Sequence, residues 1–261
     1  MKRLYLVALL SIGALALAGC GNGGLGGNPE VTAIAVNEGA DLQLIWNSVE
    51  GADGYRVYCD GNKIWEGSST IYTIQGSSHV CRTVEVAAYS GDDENRTRLD
   101  LTPEISIITD LVADDDITES SWVMLDFDNG TATLVEQSDV DPDAPNTGWF
   151  VFYNYFGTPE FRDASVTSVG TARMEVAFTV PYSSIGYLAP GTGNYAVLRE
   201  TAANAYHFFW ADNMSTGYDE MDNNDYFGVI KVGTISGSGP YRANLEIYIQ
   251  YKVPGLRWVK F

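Results

Sequence analysis

Histidine is almost missing from this chain. Only His79 and His207 occur among 261 residues. A hydrolytic triad would need one of them beside a placed serine and aspartate, and no Gly-x-Ser-x-Gly elbow occurs to supply the serine. No cysteine and histidine spacing of a zinc site occurs either. Basic residues are also scarce, with 15 Lys and Arg against 34 Asp and Glu, a formal charge of −19. Such a surface repels nucleic acid and anionic headgroups, so nucleic acid is excluded as a partner. Between residues 99 and 161 there is no lysine or arginine at all. No helical period follows the first twenty residues, and no 20–50 residue repeat is present. Gly191-Thr192-Gly193-Asn194-Tyr195-Ala196 matches a dinucleotide fingerprint as a string. It lacks the strand before and the helix after, so it reads as a turn entering a strand. These scarcities point to a protein that is not an enzyme. Paired carboxylates acting on a glycan, as in a hydrolase or its accessory protein, remain an alternative, because sequence does not show carboxylate separation.

What is present begins with an address. Lys2 and Arg3 precede an apolar run from Leu4 to Ala16, too short to span a bilayer and suited to a secretory signal. The run closes on Leu17-Ala18-Gly19-Cys20, which resembles the lipobox of bacterial lipoproteins. That resemblance implies cleavage after residue 19 and acylation of Cys20, with several acyl chains giving stable anchoring. Gly21, in place of an aspartate, resembles outer-membrane sorting in that family. The expected location is the cell envelope, on a lipid anchor in the outer membrane. Without Lys2 and Arg3 the mature charge is about −21. Residues 20–29 carry the lipidated cysteine and a glycine-rich tether reaching under ~20 Å. Cys59 and Cys81 are then the remaining cysteines, and outside the cytoplasm they are expected to pair.

Residues 30–105 read as seven short strands of period two separated by turn signals, an immunoglobulin-like sandwich. Asp60-Gly61 is a hairpin turn within it. The stretch from Leu44-Ile45-Trp46 through Gly51-Ala52-Asp53-Gly54-Tyr55-Arg56-Val57-Tyr58 resembles the B–C region of fibronectin type III domains, and Val84, Val86 and Ala88 resemble its strand F. Where that family carries its strand-F tyrosine, this chain has Arg82. The resemblance implies a fold and a spacer or platform role. It also places Cys59 and Cys81 at the same end of neighbouring strands, in agreement with their pairing.

Residues 106–121, with Asp114-Asp115-Asp116, read as an acidic linker. From Trp122 to the end, eight or nine strands suggest a second, larger sandwich, of jelly-roll type, with Leu256–Phe261 as an added edge strand. Asn129-Gly130 marks a hairpin within it. The whole chain is therefore expected to be all-β, two sandwiches behind a signal of residues 1–19. Trp122 to Gly130, Tyr195 to Thr201 and the late Ile247-Tyr248-Ile249-Gln250-Tyr251 are similar to haem-capturing surface lipoproteins of Bacteroidetes. That similarity implies haem or small-ligand capture, with His207, Met174, Met214 or Met221 as axial ligand.

Two further features carry chemistry. Asp139, Asp141 and Asp143 are spaced as in a calcium loop, although Ala144 stands where glycine is expected and Phe150 where the closing acid belongs. Calcium at these three is one candidate; otherwise no cofactor is expected. Aromatics crowd the second domain: Trp149, Tyr153 and Tyr155, then Tyr206, Trp210, Tyr218 and Tyr226. Along 149–156, alternation puts Trp149, Val151, Tyr153 and Tyr155 on one side, and Phe150, Phe152, Asn154 and Phe156 on the other. The phenylalanine side reads as core, and the Trp/Tyr side as a stacking surface near the 206–226 aromatics. The leading expectation is a non-enzymatic, membrane-tethered binding or adhesion lipoprotein whose partner is a glycan or a protein.

Overall fold

The computed structural model of the chain describes residues 24–167, 174–213 and 220–261. Cys20, Met214 and Tyr218 lie outside these residues.

The first sandwich is built from β1 (Val31–Val36), β2 (Asp41–Trp46), β3 (Gly54–Cys59), β4 (Asn62–Gly67), β5 (Ile71–Gln75), β6 (Thr83–Ser90) and β7 (Asp93–Asp100). Its sheets run β1-β2-β5 and β4-β3-β6-β7, three strands facing four in a seven-stranded sandwich. Leu42, Leu44 and Trp46 alternate inward on β2 and meet Val57 on β3 and Val84 and Val86 on β6. Trp46 stands edge-on to Tyr55 at 5.6 Å and to Trp65 at 6.1 Å. The Tyr55 hydroxyl accepts from the Val49 amide at 2.9 Å, which pins the β2–β3 loop. Asp60 and Gly61 both take positive φ, 48° and 80°, so the β3–β4 hairpin turns on the expected two residues. Cys59 and Cys81 are bonded, with Cα atoms 5.4 Å apart.

The second sandwich contains β8 (Glu104–Ala113), β9 (Ser121–Asp126), β10 (Thr131–Val135), β11 (Thr147–Tyr155), β12 (Thr158–Asp163), β13 (Met174–Phe178), β14 (Leu198–Glu200), β15 (Tyr206–Asn213), β16 (Tyr226–Ser236) and β17 (Tyr241–Gln250). Two five-stranded antiparallel sheets face each other, ordered β10-β9-β11-β12-β14 and β13-β15-β16-β17-β8. Half of the eight neighbouring pairs are successive in the chain, including a β15-β16-β17 meander, an order that differs from the expected jelly roll. Phe150, Phe152 and Phe161 from one sheet meet Phe178, Phe209, Ile230 and Ile247 from the other in the core. The β9–β10 hairpin forms, but over four residues with positive φ only at Gly130. Phe127 within it is buried, stacked on Tyr226 at 4.6 Å.

Two expectations are corrected here. The acidic stretch 106–121 is not a free linker, because β8 runs through it and pairs with β17. A bulge hides that strand from a period-two reading. Thr109 and Asp110 together oppose Asn244, so Ile108 and Leu111, three apart, both point inward. Asp110 takes φ 58° and its amide donates to Asn244 Oδ1. The sandwiches therefore meet at Leu101–Pro103 with almost no slack. The second correction concerns Leu256–Phe261. This segment is not an edge strand; it wedges between the sandwiches, with Leu256 and Trp258 entering the first core and Val259 and Phe261 packing on the outer face of the second. Leu256 and Trp258 are buried with Leu42, Ile74 and Cys81. Trp258 Nε1 donates to Ala40 O at 2.8 Å and the Arg257 amide to Gly39 O at 3.0 Å. A Cβ on Gly39 would sit 1.9 Å from Gly255 O, so this approach needs glycine. Gln250 Nε2 bridges the junction, donating to Leu101 O and Trp258 O.

Candidate functional site

The outer face of β11 behaves differently at its two ends. Trp149 is only 3% exposed, covered with Trp122 and Val151 by Ile117, Val135, Val140 and Ala144. The covering groups come from the end of β10 and from segments between strands, which close over the start of β11 and leave its far end open. Toward that end Tyr153 is half-buried and Tyr155 is 50% exposed. β11 and β12 are joined by two residues, since Tyr155 pairs with Thr158. Those residues are Phe156 and Gly157, at φ 47° and 92°. A two-residue hairpin demands this left-handed geometry, and asparagine or aspartate usually supplies its first position. Here a bulky aromatic occupies it and is 90% exposed. The expectation that Phe156 faces the core with Phe150 and Phe152 is overturned, because the strand alternation ends one residue earlier, at Tyr155.

The tip is held firmly from below. Asn154 Oδ1 accepts from the Gly157 amide at 2.9 Å, and the Tyr241 hydroxyl donates to Gly157 O at 2.6 Å. Arg162 lies over the rings of Tyr153 and Tyr155, its Cζ 4.2 and 4.8 Å from their centroids. Arg162 in turn pairs with Glu160, which is 2% exposed. Burial raises the Glu160 carboxyl above its ordinary range, and the arginine opposes that shift. The Tyr153 hydroxyl donates to Asp115 O, which ties the acidic segment to the platform. Asp116 is held below the usual carboxylate range by hydrogen bonds from the Thr118 side chain and backbone. A cleft of about 640 Å³ opens between Tyr153, Tyr155 and Phe156 on one wall and Asp114, Asp115 and Pro240 on the other. A second hollow of about 600 Å³ lies on the other side of Tyr153, against Arg162 and Asp116. Ring faces, carboxylates and a guanidinium thus line two neighbouring depressions that share Asp115 and Tyr153. This set can stack on a flat ligand and hydrogen-bond to its hydroxyls.

The other predicted aromatics are elsewhere. Tyr206 and Trp210 lie on the outer face of the opposite sheet, packed with Phe208, Tyr182 and Tyr195. Trp210 is 5% exposed and edge-on to Tyr195 at 5.8 Å. Tyr226 is in the core between the sheets. Outward faces of facing sheets point in opposite directions, so these residues do not join the β11 group. Tyr153 and Tyr155 are brought together; Trp149, Tyr206, Trp210 and Tyr226 are not added to them.

His207 is fully buried. Its Nδ1 lies 2.8 Å from Thr179 O and its Nε2 2.9 Å from Thr201 Oγ1, so both ring nitrogens are used within the protein. Burial pushes its pKa down to about 4. Met174 and Met221 are packed in separate hydrophobic clusters. None of these three presents an open axial position to a haem. Asp139, Asp141 and Asp143 are exposed, and Asp141 Oδ1 accepts from the Asp143 amide in a local turn. Among the described residues no group of three or more His, Cys, Asp or Glu side chains is placed to hold a metal ion.

Phe156, Arg162 and Asp114–Asp115 were not singled out by sequence as site residues. A Phe-Gly pair between two alternating runs is the signal that marks the tip as a turn. No protein-family model matches the chain, and no curated protein sequence matches it.

Proposed function

We propose that this chain is a lipid-anchored envelope protein that binds neutral glycans at the β11–β12 tip and performs no chemistry there. The observation that carries the reading is Phe156: a benzyl side chain 90% exposed on a backbone position that disfavours it. Left-handed geometry costs an ordinary side chain about 1–2 kcal/mol, and such costs cluster at ligand clamps. Exposed rings beside carboxylates suit the apolar face and hydroxyls of a sugar. The acids Asp114–Asp116 disfavour an anionic ligand at this place. Cys20, the glycine-rich tether and the close junction between sandwiches support a tip held off a membrane surface on a flexible leash.

A glycan array probed with the chain and with its Tyr155→Ala/Phe156→Ala variant tests this reading. Signal on neutral oligosaccharides that disappears in the variant, with an unchanged melting temperature, is expected. No signal, or equal signal from both proteins, would overturn it. The anchor is tested separately by Cys20→Ser, which should release the protein from membranes and abolish metabolic lipid labelling.

A further inference from the structure

A groove of about 800 Å³ lies where the two sandwiches meet, far in sequence from the tip. One wall comes from the β3–β4 turn and the loop after β5, with Asn62, Lys63, Ser77 and His79. The other comes from Tyr187 and from Lys260 of the C-terminal tail. On a chain of charge −19, this groove is lined by two lysines and a histidine against one acid, Asp60. Asp60 is already committed. Its Oδ1 accepts from the Arg82 and Thr83 amides, and its Oδ2 from Lys260 at 2.7 Å. Lys63 meets Glu66 only in a water-exposed pair, with 49% and 37% of the side chains accessible. Such a pair holds its partners weakly, so the ammonium is free to turn to a ligand. Tyr187 is 42% exposed and braced from behind, edge-on to Phe261 at 6.1 Å, while Phe261 stacks on Tyr248 at 4.0 Å. Lys260, bonded to Asp60, also donates to Val80 O at 2.8 Å, so one of its three hydrogens is left for a ligand. A rigid ring face thus stands beside the Lys63 ammonium and that remaining Lys260 hydrogen, with serine and asparagine groups opposite.

We propose that this groove binds an acidic sugar, a hexuronate or a short oligomer of it. Its carboxylate would meet Lys63 and Lys260 in charge-assisted hydrogen bonds, and its apolar face would cover Tyr187. Domain junctions are favoured places for such sites. The site is independent of the β11–β12 tip and takes an anionic ligand where the tip takes a neutral one.

Calorimetry of the full chain with trigalacturonate, and with maltotriose as a neutral probe of equal length, tests the proposal. It is run on the unaltered chain and on the Tyr155→Ala/Phe156→Ala variant. Trigalacturonate should bind both equally, and maltotriose should not bind the tip variant. Lys63→Gln and Tyr187→Ala should each weaken trigalacturonate by about tenfold or more. Both side chains are accessible, so neither change threatens folding. Absence of trigalacturonate binding, its loss in the tip variant, or full affinity in either groove variant would overturn the proposal; equal maltotriose binding by the tip variant would overturn the tip reading instead.

Discussion

Replacing Phe156 by asparagine separates what the tip costs from what it does. The wild-type residue holds φ 47° at the first position of a two-residue hairpin whose second residue is Gly157. Asparagine tolerates that geometry, and Asn-Gly is the preferred pair for this turn. The relief is about 1 kcal/mol. Against it stands the edge contact of Phe156 with Tyr155, at 4.6 Å between centroids. Aromatic pairs contribute roughly 0.5–1.5 kcal/mol, and this one belongs at the low end because Phe156 is 90% exposed. Little apolar area is lost, so the net change is a gain of about 0.5 kcal/mol, or roughly 1–2 °C in melting temperature for a chain of this size. Scanning calorimetry should therefore show Phe156→Asn at least as stable as the parent, while glycan binding falls by tenfold or more. A fall of several degrees would show that the ring is structural and that the strain argument is wrong. Unchanged binding would remove Phe156 from the site.

Breaking the Cys59–Cys81 bond by a double Cys→Ser change should cost about 3 kcal/mol, given the sequence separation of 22 residues, read as a lower urea midpoint for the first sandwich. Trp258→Ala should cost about 3–5 kcal/mol and speed hydrogen exchange at the Ala40 and Leu101 amides, which donate to Asn37 O and Arg82 O beside the carbonyls that Trp258 and Gln250 hold, although those groups belong to the other sandwich. His207, with its pKa lowered to about 4, contributes stability that is present above pH 6.5. That contribution is lost as pH falls through 4, up to roughly 3 kcal/mol. Urea titrations from pH 7 to 4 should thus show a steeper decline for the parent than for His207→Gln, and parallel curves would contradict this. Asp225, raised to about 7 by burial, has the opposite sign: its contribution is present at acid pH and is lost as pH rises through 7, a slope that Asp225→Asn should abolish.

The strands of the first sandwich were legible because period-two patterning and turn chemistry agree there, from Leu42-x-Leu44-x-Trp46 to Asp60-Gly61. The disulfide followed from the two cysteines left once Cys20 is assigned to the anchor, together with an expected address outside the cytoplasm. β8 was not legible, since its bulge at Thr109-Asp110 breaks the alternation within an acidic stretch. The tail 256–261 carries an apolar pattern that suits an edge strand equally well, and only tertiary structure reveals that Trp258 fills a different domain. At the site, alternation correctly sorted Phe150 and Phe152 from Tyr153 and Tyr155. It could not tell Trp149 from Tyr155, because burial on an outer face depends on loops such as 136–145 that fold over it. It also could not show that β11 and β15 lie in opposite sheets, which divides one expected aromatic cluster into two.

The most direct test of the binding claim is an NMR titration of the chain, with labelled aromatic rings, against a neutral oligosaccharide selected on the array. The ring signals of Tyr153, Tyr155 and Phe156 should shift together and saturably, while those of Trp149, Tyr206 and Trp210 stay in place. Shifts confined to Tyr206 and Trp210, or none at Tyr155 and Phe156, would contradict that claim.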